Sequence, residues 1–523
     1  MTRPAAPIPA WSAFWRAPLA LGDRLCAALL DPRRRERHVV LVLGAYVALW
    51  TLYGIIAKGS QDIHFDMGEA LAWSRELAVG NPKHPPLSAV VVKAWFSVFP
   101  RADWAYYVLA VTVAAAGLWI AWGLSGRFLD AEKRVAGLAL MSLVPFFNFQ
   151  ALKFNANTVL IPLWAATTYC FVRSFESRRA SWAALAGLCA AGAMLGKYWS
   201  IVLLLGLGVA ALLDPRRGAY FRSAAPWVTI AVGALALTSH GVWLVTHGFG
   251  PILYAASEHP SSGTLATLVA ALGFLLGTAG YVAIPVALTL MAARATPAAL
   301  RDTLRPHTPD RRFAAVAFVA PLLLSVLLAV AAGALIVSLW AMPALTLLPV
   351  VVLSSPQLNI TREALARLVT LAIAFPAAML AAAPGVALAI HRSGLEHHAA
   401  HYRLLARAVD QAWRATSAAP LKLVGSDTNL VNGVVFYLSS EPSTADILGP
   451  KETPWVDAAR LAREGIAMFC AADERSCVNA ADALAARGPK GRRVEVEIAR
   501  SYLGFAGARQ RYLIETIPPG AWR

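Results

Sequence analysis

Long apolar runs joined by short polar connectors dominate this chain, and their lengths set the first expectation. A hydrocarbon core of about 30 Å takes roughly 20 residues of helix, and the run Val39 to Ala57 meets that length. Further runs lie at Trp104 to Leu124, Val135 to Phe149, Thr158 to Val172, Trp182 to Leu195 and Ile201 to Leu213. They continue at Trp227 to Val245, Leu265 to Ala292, Phe313 to Ala332, Ala334 to Leu353 and Leu368 to Ile390. The pattern predicts about eleven transmembrane helices. Beyond Arg392 the apolar runs shorten and alternate between strand-like and helix-like segments. Strands are predicted at Leu421 to Val424, Ile466 to Phe469, Val494 to Ile498 and Tyr512 to Ile517. Helices are predicted at Leu430 to Leu438, Trp455 to Arg463 and Ala480 to Ala486, so this end reads as a small α/β layer. The Gly425-Ser426-Asp427-Thr428 turn between the first strand and helix is read as a plain connection with an Asp or Thr cap rather than a ligand loop.

Composition agrees with a polytopic membrane protein. Of 523 residues 58% are hydrophobic and 15% charged, with mean hydropathy +0.55, against about 25% charged in soluble proteins. The net charge of +17 does not point to nucleic acid, because the basic residues sit in the short connectors. Taking the first run outward from a basic N-terminal flank, alternate connectors hold Arg127, Lys133 and Arg134; Arg173, Arg178 and Arg179; and Arg216, Arg217 and Arg222. The series continues with Arg294, Arg301, Arg305, Arg311, Arg312, Arg362 and Arg367, whereas the short outward connectors carry little beyond Lys153 and Lys197. Cytoplasmic connectors are the ones that collect Lys and Arg, so an odd number of spans and an external C-terminal region are expected. The resulting division is a cytoplasmic segment 1–38, a transmembrane domain 39–391 whose first external loop is 58–103, and a soluble periplasmic domain 392–523. The run at Val39 is too long for a signal peptide and is read as an uncleaved helix. Cys470 and Cys477 fall in the external region, where either a disulfide or two free thiols fits. The acceptor pattern Asn359-Ile360-Thr361 falls on the cytoplasmic side and is discounted.

The chemistry concentrates in Asp62 to Leu87, a polar insert between two apolar runs that contains Asp66, Glu69, Arg75, Glu76, Lys83 and His84. Asp66 and Glu69 share one helical face. One reading makes them a capping box, with Asp66 capping and Glu69 reaching back. The other makes them acid–base groups beside the cations of Lys83-His84-Pro85-Pro86-Leu87, a rigid turn at the lipid–water boundary. Carboxylates followed by cations at that boundary suit the reaction of a hydroxyl with a lipid-borne phosphate ester, the carboxylate taking the proton and cations stabilising the phosphate.

Asp66-Met-Gly-Glu69-Ala-Leu-Ala-Trp-Ser74-Arg75-Glu76-Leu77, followed by Lys-His-Pro-Pro-Leu, resembles the first periplasmic loop of glycosyltransferase family 39. Those GT-C membrane enzymes include protein O-mannosyltransferases and lipid A aminoarabinose transferases. The resemblance places Asp66 on the family's catalytic base and His84 on the Lys of its Lys-Pro-Pro motif. Leu195-Gly196-Lys197-Tyr198 resembles its external lysine that contacts lipid phosphate, and Lys153-Phe154-Asn155-Ala156-Asn157 its polar start to the fourth helix. Glu258-His259-Pro260 resembles a Glu-His pair in a later external loop. The implied assignment is Asp66 as base and Glu69 beside it, Lys83, His84, Lys153, Lys197 and Tyr198 on the donor phosphate, and Glu258 and His259 on the acceptor side.

The chain departs from the family in two places. Lys83 stands where the aminoarabinose enzymes have a metal-ligating Glu, so no metal is carried over, and the adjacent Asp-Glu pair is here Asp66-Met67. The resemblance thus implies a polyprenyl-phosphate sugar donor, an envelope glycan or lipid acceptor in a bacterial inner membrane, no nucleic acid, and no metal, nucleotide or redox cofactor. Plain alternatives stand beside these roles. Lys197 also fits an interface anchor, His259 a solvated loop residue, and His240 and His247 the interfacial end of a helix. A lipid-linked sugar transporter or flippase would place its ionisable groups near the bilayer midplane in broken helices, and a scaffold would use the outer domain alone.

Overall fold

The computed structural model describes residues 10–76, 78–258, 261–394 and 399–522. In chain order the helices begin with α1 Ala10–Leu30, α2 Arg35–Ala57, α3 Phe65–Glu76, α4 Leu87–Phe96, α5 Asp103–Ser125, α6 Ala131–Leu143 and α7 Ala156–Ser177. They continue with α8 Ala180–Gly196, α9 Ile201–Leu213, α10 Arg217–Phe221, α11 Ala225–Thr246, α12 Gly250–Glu258, α13 Thr264–Ala292 and α14 Pro297–Leu304. Then come α15 Pro309–Ala332, α16 Leu348–Leu353, α17 Arg362–Arg392, α18 Tyr402–Arg414, α19 Thr428–Val435, α20 Ala458–Glu464 and α21 Arg475–Ala485. Among the described residues, α2, α5, α11, α13, α15 and α17 are each long and apolar enough to cross a membrane. A seventh span exists if α6 and the turn Pro145–Leu152, bent by 72°, are counted as one.

All the predicted apolar runs have helical counterparts, with two changes of shape and one addition. The run Val135 to Phe149 breaks at Pro145, whose ring cannot continue α6. The stretch from Ala334 to Leu353 is not one straight helix but a 3-10 segment, Ser338–Leu347, leading into α16. Pro343 and Pro349 each remove a backbone donor there, and such irregular backbone is tolerated because it lies against α7, α13 and α15 rather than lipid. The addition is α1, which lies within the stretch read only as a cytoplasmic segment. It packs along α17 through Gly22, where an added Cβ would meet Thr370 Oγ1 and the Ala366 carbonyl, and an Arg362 Nε to Asp23 Oδ1 contact of 2.8 Å tethers it.

The C-terminal sheet joins β1 Leu423–Ser426, β2 Ser443–Asp446, β3 Ile466–Ala471, β4 Arg492–Tyr502 and β5 Phe505–Ile517 in the order β2-β1-β3-β5-β4. The first three strands are parallel and the last two antiparallel, with Ile466 opposite Ile517. α18 and α19 cover one face with Leu405, Val409, Trp413, Leu430 and Val434 against Phe469 and Ile514. On the other face Leu461 and Cys477 pack on Met468 and Ile517. β2 and α18 complete the predicted alternation, Asp427 caps α19 by accepting from the Asn429 and Leu430 amides at 3.1 Å, and Cys470 and Cys477 are disulfide-bonded.

The layer closes over α3, and the contact is backbone to backbone. A Cβ on Gly68 would sit 1.8 Å from the Asn432 carbonyl oxygen of α19. Gly68→Ala should therefore force α3 from α19 and lower stability by about 1–3 kcal/mol, the usual cost of overpacking, read as a drop in the thermal midpoint in detergent; an unchanged midpoint would contradict this packing.

Candidate active site

α3 opens where the His64 carbonyl accepts from the Met67 and Gly68 amides, so its first turn is closed without a side-chain box. The capping-box reading therefore fails, and the Asp66 carboxylate turns outward to other partners. Its Oδ2 lies 3.2 Å from Lys153 Nζ and accepts from Asn155 Nδ2 at 3.0 Å, while Oδ1 lies 3.3 Å from His64 Nδ1. Burial pushes the Asp66 carboxyl up, but His64, Lys153 and Asn155 outweigh it and hold the group well below the ordinary carboxylate range. Asp66 is thus an ionised carboxylate at neutral pH.

The start of α7 supplies the opposite wall. Asn155 caps that helix through the Asn157 and Thr158 amides and presents its amide nitrogen to Asp66. Asn157 Oδ1 accepts from Lys197 Nζ at 2.8 Å, and that ammonium stands 4.4 Å from the centre of the Trp340 ring. Lys197 feels the charges of both Asp66 and Lys153. Tyr198 hydroxyl is 2.9 Å from His240 Nε2, and His240 Nδ1 is 2.9 Å from the Val79 carbonyl, which ties the far end of the first loop to α11. Asp66, Lys153 and Lys197, far apart in sequence, therefore share one site with Asn155 and Asn157. Tyr198 instead braces the loop.

Lys83 and Glu69 form a second centre. Lys83 Nζ is 3.3 Å from Glu69 Oε1 and 2.7 Å from Glu452 Oε2 of the C-terminal layer, with the Tyr254 ring 5.5 Å away. Asn432 Nδ2 donates to Glu69 Oε1 at 3.4 Å. One cation serves two carboxylates. Burial, with Asp66 and Glu452 adding repulsion, pushes Glu69 up to about 7 despite Lys83, whereas Glu69 and Glu452 overcome the burial of Lys83 and hold its ammonium charged. The ring of His84 meets Trp73 edge-on at 5.7 Å. The side chain of Glu258, at the end of α12, and all of His259 lie outside the described residues.

Sequence reasoning missed His64, Asn432, Glu452 and Trp340 as members of these centres. His64 carried a signal, being two residues before Asp66 in the same insert; the others come from distant segments with no motif of their own. The C-terminal layer grips the loop further through Asp62, which accepts from the Arg403 amide at 2.9 Å and pairs with Arg500, and through Tyr437, which donates to Asp103 at 3.1 Å.

Comparison with known proteins places this geometry. A family model described as dolichyl-phosphate-mannose-protein mannosyltransferase matches residues 83–243. The structure superposes on that of ArnT from Cupriavidus metallidurans bound to undecaprenyl phosphate with a TM-score of 0.60 at 15% identity, covering 91% of this chain and 97% of that one. The apo form of the same protein gives 0.59 at 12% identity, with the same coverage. No curated protein sequence matches the chain. The fold is therefore of the GT-C type found in ArnT, as the resemblance in the first loop implied.

Lys83→Met leaves Glu69 and Glu452 facing each other without a cation. Breaking a buried pair from one side costs about 3–5 kcal/mol, and the double variant Glu69→Gln/Lys83→Met should recover part of the lost thermal midpoint; no recovery would separate Lys83 from Glu69. Because Glu69 binds its proton more tightly folded than unfolded, its contribution to stability is complete below its ordinary value of 4.5 and lost as pH rises through about 7. The midpoint difference between wild type and Glu69→Gln should accordingly shift against wild type between those two values, and a pH-independent difference would refute the shift.

Proposed function

We propose that this protein is an inverting glycosyltransferase that moves a sugar from a polyprenyl phosphate to a hydroxyl of a cell-envelope glycan or lipid, outside a bacterial inner membrane. The observation that carries the reading is the gathering of one ionised carboxylate, Asp66, with Lys153, which pairs with it at 3.2 Å, and Lys197, which feels its charge and bonds Asn157 at the start of α7. The GT-C fold and the undecaprenyl phosphate bound by ArnT support a lipid-linked donor here. The disulfide between Cys470 and Cys477 suits an oxidising compartment for the outer layer.

The acceptor hydroxyl oxygen attacks the anomeric carbon from the face opposite the phosphate. The carbon–oxygen bond to phosphate breaks with its electron pair, the hydroxyl proton passes to Asp66, and the polyprenyl phosphate leaves. Lys153 and Lys197 offset the charge that grows on that phosphate. The same lysine that depresses Asp66 is a donor ligand in this scheme. When the phosphate draws the Lys153 ammonium away, the proton affinity of Asp66 rises and a weak base becomes a better one. His84 lies on the same loop and completes the phosphate side, while Glu69 and Lys83 hold α3 in place. The Glu258 side chain and His259, which lie outside the described residues, are assigned to the acceptor side by the resemblance alone.

Asp66→Asn should retain the fold and lose about a hundredfold to ten-thousandfold in transfer. The assay follows label from a panel of polyprenyl-phosphate sugars into an envelope-lipid extract, with purified protein in lipid. Transfer intact in Asp66→Asn would sink the assignment, and absence of transfer from every donor with lipid phosphate still bound would return the chain to the transport reading. Lys153→Gln should raise KM for the donor and move the acid limb of the pH profile upward, since loss of the cation lets burial raise Asp66; an unmoved limb would remove Lys153 from this dual role.

A further inference from the structure

The β4–β5 hairpin ends in a two-residue turn, with Tyr502 paired to Phe505 across Leu503 and Gly504. Both turn residues have positive φ, 50° and 82°. Such turns favour Asn-Gly or Asp-Gly because each centre must adopt a left-handed backbone, and a leucine there crowds its Cβ against the following carbonyl. No internal packing accounts for the choice. Leu503 is 70% and Phe505 47% exposed. Further up the hairpin the long exposed side chains are charged and two pairs meet across the strands, Arg511 with Glu495 at 3.0 Å and Arg509 with Glu497 at 3.2 Å. On this hairpin, large apolar side chains are exposed at the tip alone.

The surroundings of that tip identify what it meets. Gly59, just past the end of α2, faces the Tyr502 ring, whose edge would be 3.6 Å from an added Cβ. At the end of α17 His391 Nε2 is 3.0 Å from the Phe505 carbonyl, and the Arg392 guanidinium lies 5.1 Å from the centre of the Phe505 ring. α2 and α17 are both long and apolar enough to cross the membrane, and Lys58, His391 and Arg392 at their ends mark the level at which they leave the hydrocarbon. A leucine and a phenylalanine exposed at that level face lipid rather than open water. We infer that the tip Tyr502-Leu503-Gly504-Phe505 is an interfacial lipid contact, through which the outer sheet rests on the bilayer surface. This surface lies apart from Asp66 and stands whether or not the protein transfers sugar.

The test labels Leu503→Cys with a nitroxide in protein whose Cys26, Cys170 and Cys189 are replaced by Ala, reconstituted in phosphatidylcholine vesicles. A label at Glu497→Cys, higher on the same hairpin, gives the water reference. At Leu503 the collision rate with oxygen should exceed that with a water-soluble nickel chelate severalfold, with the order reversed at Glu497. Chelate access at Leu503 equal to that at Glu497 would overturn the inference. A label shielded from both reagents would overturn it too, since a protein surface such as a second copy would then cover the tip. Leu503→Asn supplies the residue the turn prefers, so its thermal midpoint in detergent should not fall; with the label moved to Phe505→Cys it should shift collisions toward the chelate. Collisions at Phe505 unchanged by Leu503→Asn would remove Leu503 from the contact.

Discussion

A carboxylate withdrawn from water must be met by a cation or lose its charge, and three such carboxylates stand within eight residues of one loop. Each is met from a different direction. Asp62 is held by Arg403 and Arg500 from the C-terminal layer, Asp66 by Lys153 at the foot of α7 with Asn155 donating beside it, and Glu69 by Lys83 from the far end of the loop. The loop is consequently the place where membrane bundle and outer layer are pinned together. Its charges dictate the arrangement more than its helical propensity does, since α3 is only twelve residues long and would be marginal alone.

The same constraint distinguishes the two acids on one helical face. Asp66 has more positive charge and hydrogen-bond donation around it than burial can cancel, so it stays ionised; Glu69 shares a single ammonium with Glu452 and is pushed toward neutrality. The different charge states of Asp66 and Glu69 therefore follow from the partners each one meets. The C-terminal layer is no bystander in this arrangement, because Asn432 donates to Glu69 on α3 and Glu452 shares the Lys83 ammonium with it.

Hydropathy made most of the helices legible, since a membrane span is written as a continuous apolar run and needs no distant partner to be recognised. It failed where proline changes the backbone inside an apolar run, at Pro145 and along Ser338–Leu347, and at α1, whose partner α17 lies more than 300 residues away. In the site, Asp66, Lys153 and Lys197 were legible because an ionisable group beside an apolar run is conspicuous. Glu452, Asn432 and Trp340 were not, because each is ordinary in its own segment and acquires a role only through tertiary contact. The capping pattern at Asp66 and Glu69 shows the converse: a local signal was present, and long-range charge overrode it.

The meeting of Gly68 and Glu69 with Asn432 spans 363 residues. During synthesis α3 leaves the ribosome long before the segment that will lie on it, so α3 has no cover, and Lys83 no second carboxylate, until the C-terminal layer has been made and folded. The cluster around Asp66 and Glu69 is in that sense the last part of the molecule to mature, although its carboxylates are among the first residues made. A truncated or stalled chain would insert its helices yet hold α3 uncovered and Lys83 with a single carboxylate.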